Sequence, residues 1–373
     1  MRLDPLAALA AASVLLFGKV SAQTFTDCNP LNTQCPPNAA LGMTINVDFR
    51  KGEVNSFVPF GSPTYNNENG ASFTVSQGGD APQLQSVFYI MFGRVEITMK
   101  AAPGAGIVSS LVLESDCLDE IDIEWLGSNP DEMQSNYFGK GQTTSYNRGQ
   151  FHKVEDTQGK WITYTVDWTE DAIVWMADGT VLRELKASDA EENQYPQTPM
   201  QVKFGAWAGG DPNHNPPGTV EWARGPTDYS KGPFSMLVQK VIVTDYSTGK
   251  EYKYGNMSGD WESIEAVDGK INGNIGNSAG VTVTASAAGS ASTGDASVPQ
   301  GGLGEDGSDA TATQTGWPWQ PTAGASSGGS IPDGWTMTDE GKLIPKGSSS
   351  SLRPALSTVF LIPFALVLLS RLA

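Results

Sequence analysis

Between Asp119 and Gly127 the chain reads Asp-Glu-Ile-Asp-Ile-Glu-Trp-Leu-Gly, with Glu120, Asp122 and Glu124 at alternate positions and Ile121 and Ile123 between them. A period of two is that of a β-strand, whose successive side chains point to opposite faces. The isoleucines then enter a core while the three acids share the other face. A helix would scatter the same residues around its surface, so the strand reading is preferred.

Like charges on one strand face repel, and Asp and Glu are poor strand formers. The arrangement suits a reaction that needs one ionised and one protonated carboxyl group. Retaining glycosidases use such a pair about 5–5.5 Å apart, one as nucleophile and one as acid/base. On an ideal strand the Cα atoms of Glu120 and Glu124 lie roughly 13 Å apart. Long side chains leaning together across a sugar can close that gap, which favours Glu over Asp at both ends. Asp122, between them, can share a proton or a hydrogen bond with either and push their pKa values apart. A solvated acidic edge strand is the competing reading, and it is disfavoured because such strands seldom carry unrelieved acid triplets.

The octapeptide Glu-Ile-Asp-Ile-Glu-Trp-Leu-Gly at 120–127 resembles the E-x-D-x-E signature of glycoside hydrolase family 16. Three further segments narrow the likeness: Cys28-Asn-Pro-Leu-Asn-Thr-Gln-Cys35, Ala206-Trp207-Ala208-Gly209-Gly210-Asp211 and Thr219-Val220-Glu221-Trp222. Together they resemble the fungal Crh-type cell-wall transglycosylases, which move chitin chains onto wall β-glucan, over about residues 28–246. The resemblance implies an all-β, concanavalin-like jelly-roll sandwich whose concave sheet forms the sugar cleft. It also implies Glu120 as nucleophile, Glu124 as proton donor and donor-sugar contact, and Asp122 as the group that orients Glu120. Lys203 would bind a hydroxyl or acetamide, Trp207 would stack on a donor sugar, and Thr219 would contact the donor. Trp222 is a further aromatic platform, with Tyr137 and Tyr164 as additional candidates. The expected partners are a chitin donor and a β-glucan acceptor, with no cofactor and no metal in the chemistry.

The rest of the sequence fits a secreted, anchored protein. A net charge of −18 disfavours nucleic acid, which requires a basic footprint. Arg2 precedes an apolar run, and Val20-Ser21-Ala22 offers a small-residue cleavage site, so 1–22 reads as a signal peptide. Residues 23–276 hold nearly all the aromatics and form the expected catalytic domain. Residues 277–350 are mostly Gly, Ser, Ala and Thr and read as a disordered stalk that cannot bury enough apolar area to offset its ordering entropy. Residues 351–373 have the layout of a glycosylphosphatidylinositol (GPI) signal, with attachment near Gly347, which places the protein in the wall and on the outer face of the plasma membrane.

Short alternating runs at 44–49, 72–76, 85–91, 93–100, 107–113, 161–168, 173–176, 181–185, 200–207 and 236–245 predict further strands, separated by Gly and Pro turns. Asp178-Gly179 is a strong hairpin signal, and no long amphipathic helix is evident. Of three cysteines, Cys28 and Cys35 are expected to pair and Cys117 to be buried and inert. Asn256-Met257-Ser258 is a glycosylation sequon. Two rival functions share these features: an endo-hydrolase of β-glucan or chitin, and a carbohydrate-binding wall protein whose acids do no chemistry.

Overall fold

The alternation seen at the acid strand recurs through both sheets of the molecule. The computed structural model describes residues 26–142, 147–191 and 194–275, together with residue 298 and the segments 282–284, 335–337 and 343–345. The 1–22 leader, most of the 277–350 stalk, Gly347 and the 351–373 segment lie outside the described residues.

One sheet has seven strands: β1 (Phe57–Phe60), β2 (Gln83–Ser86), β3 (Val108–Ser115), β4 (Glu120–Leu126), β5 (Glu132–Phe138), β6 (Gln150–Lys153) and β7 (Met200–Trp207). Across the sheet they lie in the order β6-β5-β4-β3-β7-β2-β1, all antiparallel. The acid strand β4 is therefore internal, flanked by β3 and β5, and the edge-strand reading falls. The second sheet runs Thr180–Lys186, Ala172–Ala177, Ile162–Trp168, Gly93–Lys100, Phe234–Asp245, Thr44–Asp48, with Gly70–Val75 also paired to Phe234–Asp245.

The core lies between the two sheets. Ile121, Ile123 and Trp125 on β4 are at most 1% exposed, and each such side chain contributes about 1.5–3 kcal/mol when fully buried. Trp125 meets Tyr164 of the second sheet edge-on, with ring centroids 4.6 Å apart, and Phe204 of β7 meets Phe73 at 5.7 Å. The hairpin at Asp178-Gly179 forms as expected: Ala177 pairs with Thr180, and both loop residues have positive φ, 44° and 75°.

Outside the sheets, Cys28 and Cys35 form the expected disulfide. Cys117 is buried in the turn before β4, where burial pushes its thiol up to about 12, so it is an inert core group. The run expected at 85–91 is a strand only over Gln83–Ser86, and the sequence reading missed β1, β5, β6, the short strands Thr64–Asn66, Glu251–Tyr254 and Ile264–Val267, and one short helix, α1 (Pro217–Trp222). Pro217 stands at its first turn, where its fixed φ suits a helix start.

Candidate active site

The strand register turns the acid face of the sheet into a grid. One row across the strands reads Phe138, Glu120, Glu114, Gln201. The next reads Asn136, Asp122, Val112, Lys203, Gln85, Val58. The third reads Phe151, Gln134, Glu124, Ser110, Gly205, Gln83, Phe60. Lys203, Gly205 and Trp207 share this face of β7, as their alternation requires. A cleft of about 200 Å³ opens beside the acids, with Ser110, Val112 and Glu114 on its floor and Lys203 and Trp207 in its wall. Gly205 lets β7 and the chain entering β2 approach closely, because a Cβ there would lie 2.3 Å from the carbonyl oxygen of Pro82.

Glu120, Asp122 and Glu124 are 1%, 1% and 4% exposed. Burial, followed by the charges of Asp122 and Glu114, raises the Glu120 carboxyl well above its ordinary range. Burial also lifts Asp122 to about 7, against the opposing effect of its hydrogen bond with Glu120. Oε2 of Glu120 and Oδ1 of Asp122 make no hydrogen bond to any described residue. A buried carboxylate oxygen without a protein partner is unusual and leaves Glu120 an atom to offer a substrate. Glu114, opposite Glu120, forms an ion pair with Lys203. From behind the sheet, the indole Nε1 of Trp175 donates to the backbone carbonyl of Asp122 at 3.1 Å.

At the Glu124 end, Trp207 and Trp222 stack with centroids 6.0 Å apart and planes 23° from parallel. Trp222 Nε1 donates to Gln134 Oε1 at 3.0 Å, which ties α1 to the strand beside Glu124. An aromatic wall beside paired carboxyl groups and side-chain amides matches what a sugar presents: apolar C–H faces and a polar rim.

The chain matches glycosyl hydrolases family 16 over residues 54–224. Crh-like protein 4 of Botryotinia fuckeliana is 55% identical over 351 residues, spanning 91% of this chain and 91% of that protein. The chain belongs to family 16, among its Crh-like members. Congo red hypersensitive protein 1 of Saccharomyces cerevisiae is 49% identical over 249 residues, 66% of this chain and 48% of that protein. A solved Crh5 transglycosylase in complex with NAG superposes with a TM-score of 0.62 at 48% identity, covering 64% of this chain and 99% of that one.

The acid face of the sheet gathers most of the residues singled out from sequence and leaves out two. Lys203 and Trp207 line the cleft, Glu120, Asp122 and Glu124 lie on the adjacent strand opposite its lining residues Glu114, Val112 and Ser110, and Trp222 stacks on Trp207. Thr219 lies half-buried on α1, one turn before Trp222. Tyr137 is not a cleft residue: it opposes Ile121 on the core face of β5, is 3% exposed, and packs against the Arg148 and Arg183 guanidinium groups. Tyr164 is likewise a core residue of the second sheet, fully buried against Trp125. In each case the two-residue period sends the ring inward. The sequence reading also missed Glu114, Gln134 and Asn136. Glu114 follows the apolar run 107–113, and β5 carries Ser135 between Met133 and Tyr137 on its core face, which blurs its alternation. Asn256 is exposed in a turn, with its Oδ1 accepting from the Ser258 amide at 2.8 Å.

Proposed function

We propose that this protein is a retaining transglycosylase of the fungal cell wall that cleaves β-1,4-linked chitin and transfers it to β-glucan. One observation carries the reading: Glu120 and Glu124 project from one face of an internal strand, with Asp122 between them, beside an aromatic-walled cleft. Membership of family 16 and likeness to a transglycosylase solved with NAG support it.

Glu120, ionised, attacks the anomeric carbon of a bound chitin residue. The bond from that carbon to the leaving oxygen breaks, and Glu124 gives the leaving oxygen its proton. The result is a glycosyl ester on Glu120 and an ionised Glu124. An acceptor hydroxyl then attacks the same carbon, Glu124 takes the hydroxyl proton, and Glu120 departs as carboxylate. Glu120 and Asp122 are hydrogen-bonded and both hold their protons more tightly than an ordinary carboxyl group, so the pair shares a proton that Asp122 must take for Glu120 to attack as carboxylate. Lys203 and Trp207 hold the donor sugar, Thr219 adds a polar contact from α1, and Trp222 supplies a platform at the Glu124 end.

Transfer wins over hydrolysis when the acceptor hydroxyl reaches the ester before water, which is a difference in transition-state free energies. The test incubates the protein with chitin oligomers and a fluorescent β-glucan acceptor and separates the products by size. Fluorescence joined covalently to chitin supports transfer. Shortened chitin with unlabelled ends instead means an endo-hydrolase, and binding without cleavage means a lectin-like wall protein.

The placement that goes with this function is the cell wall. The 1–22 leader, the GPI layout of 351–373 with attachment near Gly347, and the exposed sequon at Asn256 support secretion, a lipid anchor and a surface glycan. Release from intact cells by a phosphatidylinositol-specific phospholipase tests the anchor.

A further inference from the structure

Arg183 is 4% exposed and lies in the core between the two sheets. It belongs to the strand Thr180–Lys186 of the second sheet, at a shift in register: Trp175 pairs with Arg183, but Met176 pairs with Val181. Leu182 is the extra residue of a β-bulge, a device that re-aims the side chains beside it. Arg183 thereby points inward beside Trp175, its cross-strand partner. A buried charge is costly unless a carboxylate accompanies it. No carboxylate among the described residues pairs with Arg183. Its Nη1 donates to the Ser135 carbonyl at 3.3 Å, the Ser135 hydroxyl at 3.1 Å and the Arg148 carbonyl at 3.0 Å. Its guanidinium group lies 4.9 Å from the centroid of the Trp175 ring and 5.4 Å from that of Tyr137. Burial pushes its pKa down to about 10, which leaves it charged at neutral pH.

These contacts lie directly behind the acids. On β5, Ser135 opposes Ile123 and Tyr137 opposes Ile121, the two core residues that alternate with Glu120, Asp122 and Glu124. Trp175 in turn donates through Nε1 to the Asp122 carbonyl. A cation over the face of an indole is attracted by the ring, and it polarises the N–H so that the hydrogen bond made there is strengthened. The other ionisable groups around the guanidinium do not cancel its charge. The Ser135 hydroxyl accepts from Arg183, so its own proton goes to His152 Nε2 at 2.8 Å. Burial, then the charge of Arg183, pushes that imidazole down to about 3, so it stays neutral. Burial raises the Tyr137 phenol, which stays neutral as well, and Glu191 meets Arg148 at 3.4 Å.

We propose that Arg183 is a positioning residue for the catalytic acids. Gripping Trp175 and the Ser135 main chain together, it fixes the carbonyl of Asp122 and, through it, the line of three carboxyl groups on β4. Arg183 lies behind the sheet and out of reach of a sugar, so it acts through Trp175 and β5. An apolar side chain would fill the same space at no electrostatic cost, so an unpaired cation here points to a role beyond packing. The proposal rests on the acids being the reacting groups, as in the function proposed above.

The test compares Arg183→Met, which removes the cation, with Arg183→Lys, which keeps it. Each variant is assayed for transfer from chitin oligomers. The indole N–H resonance of Trp175, assigned by its loss in Trp175→Phe, is followed by NMR in isotope-labelled protein. In Arg183→Met the expected result is a kcat about tenfold lower with the donor KM unchanged. The Trp175 indole proton moves upfield in the same variant, as its hydrogen bond weakens, and Arg183→Lys recovers part of both changes. A thermal midpoint well above the assay temperature shows that a variant is folded. Where the methionine variant does not fold, Arg183→Gln, which can still donate to Ser135, takes its place with the same expectation. A folded variant whose kcat or Trp175 resonance does not change overturns the proposal, and so does a loss confined to KM or one of equal size in the lysine variant. If the unmutated protein turns over no chitin, the proposed function falls, and the Trp175 resonance by itself then decides whether Arg183 grips the ring.

Discussion

Glu114 and Glu120 lie directly opposite each other on β3 and β4, and Lys203 on β7 ion-pairs with Glu114. Two like charges facing across a ladder repel, so the lysine makes the arrangement tolerable. Lys203→Met removes the cation from a carboxylate that is 5% exposed and should cost about 3 kcal/mol of stability. Glu114→Gln added to it should recover part of that loss. The pH–rate profile separates the two changes. Glu114 raises the Glu120 pKa, so Glu114→Gln should move the acid limb of kcat/KM to lower pH and Lys203→Met should move it higher.

The two glutamates should fail in different ways. Glu120→Gln should abolish turnover while chitin oligomers still bind, as calorimetry can check. Glu124→Gln should lower kcat on chitin by about 10²- to 10⁴-fold. Its loss should be far smaller on a glycoside whose leaving group needs no proton, such as a nitrophenyl glycoside. Equal losses on both substrates would remove Glu124 from the acid role.

Stability should fall as pH rises from about 4 to about 7. Asp122 and Asp245 have folded-state pKa values of about 7, raised by burial from 3.8. Across that window the folded protein holds protons that the unfolded chain has released, so acid stabilises it and the benefit is lost as pH passes 7. Thermal midpoints should therefore be higher at the acid end of the window, and Asp122→Asn should flatten part of the slope. Activity should decline above neutrality for the same reason, once the Glu120–Asp122 pair loses its shared proton.

Trp222→Ala removes the stacking on Trp207 and the hydrogen bond to Gln134. The expected result is a rise of roughly tenfold in acceptor KM and a larger share of hydrolysis among the products. Trp222→Phe, which keeps the stack and loses the hydrogen bond, should fall between.

The acid strand was legible because its alternation is strict, with isoleucine against carboxylate. The bounds of β7 were legible for the same reason, since Met200, Val202, Phe204 and Ala206 alternate with Gln201, Lys203, Gly205 and Trp207. Where a polar residue interrupts the core face of a strand the signal fades. β5 sets Gln134 and Asn136 against Ser135, and its ring at Tyr137 could not be placed on a face without the register. Glu114 was hidden by its place at the end of a run that is otherwise apolar or hydroxylic. Phe60 could not be distinguished from a core phenylalanine such as Phe57, three residues earlier, until pairing with β2 set the two on opposite faces. Proximity between distant segments, such as α1 and β5, is a tertiary fact with no local signature.

The indole of Trp175 reaches across from the opposite sheet to the main chain of Asp122. The carboxyl groups are thus aimed from behind, by a side chain that no polysaccharide can touch. Drift in that hidden layer is drift in the catalyst itself: a smaller ring at 175 would retune reactivity without altering a single surface that meets the wall. Engineering for a new donor or acceptor therefore has two addresses, the visible groove and the interior that sets its aim.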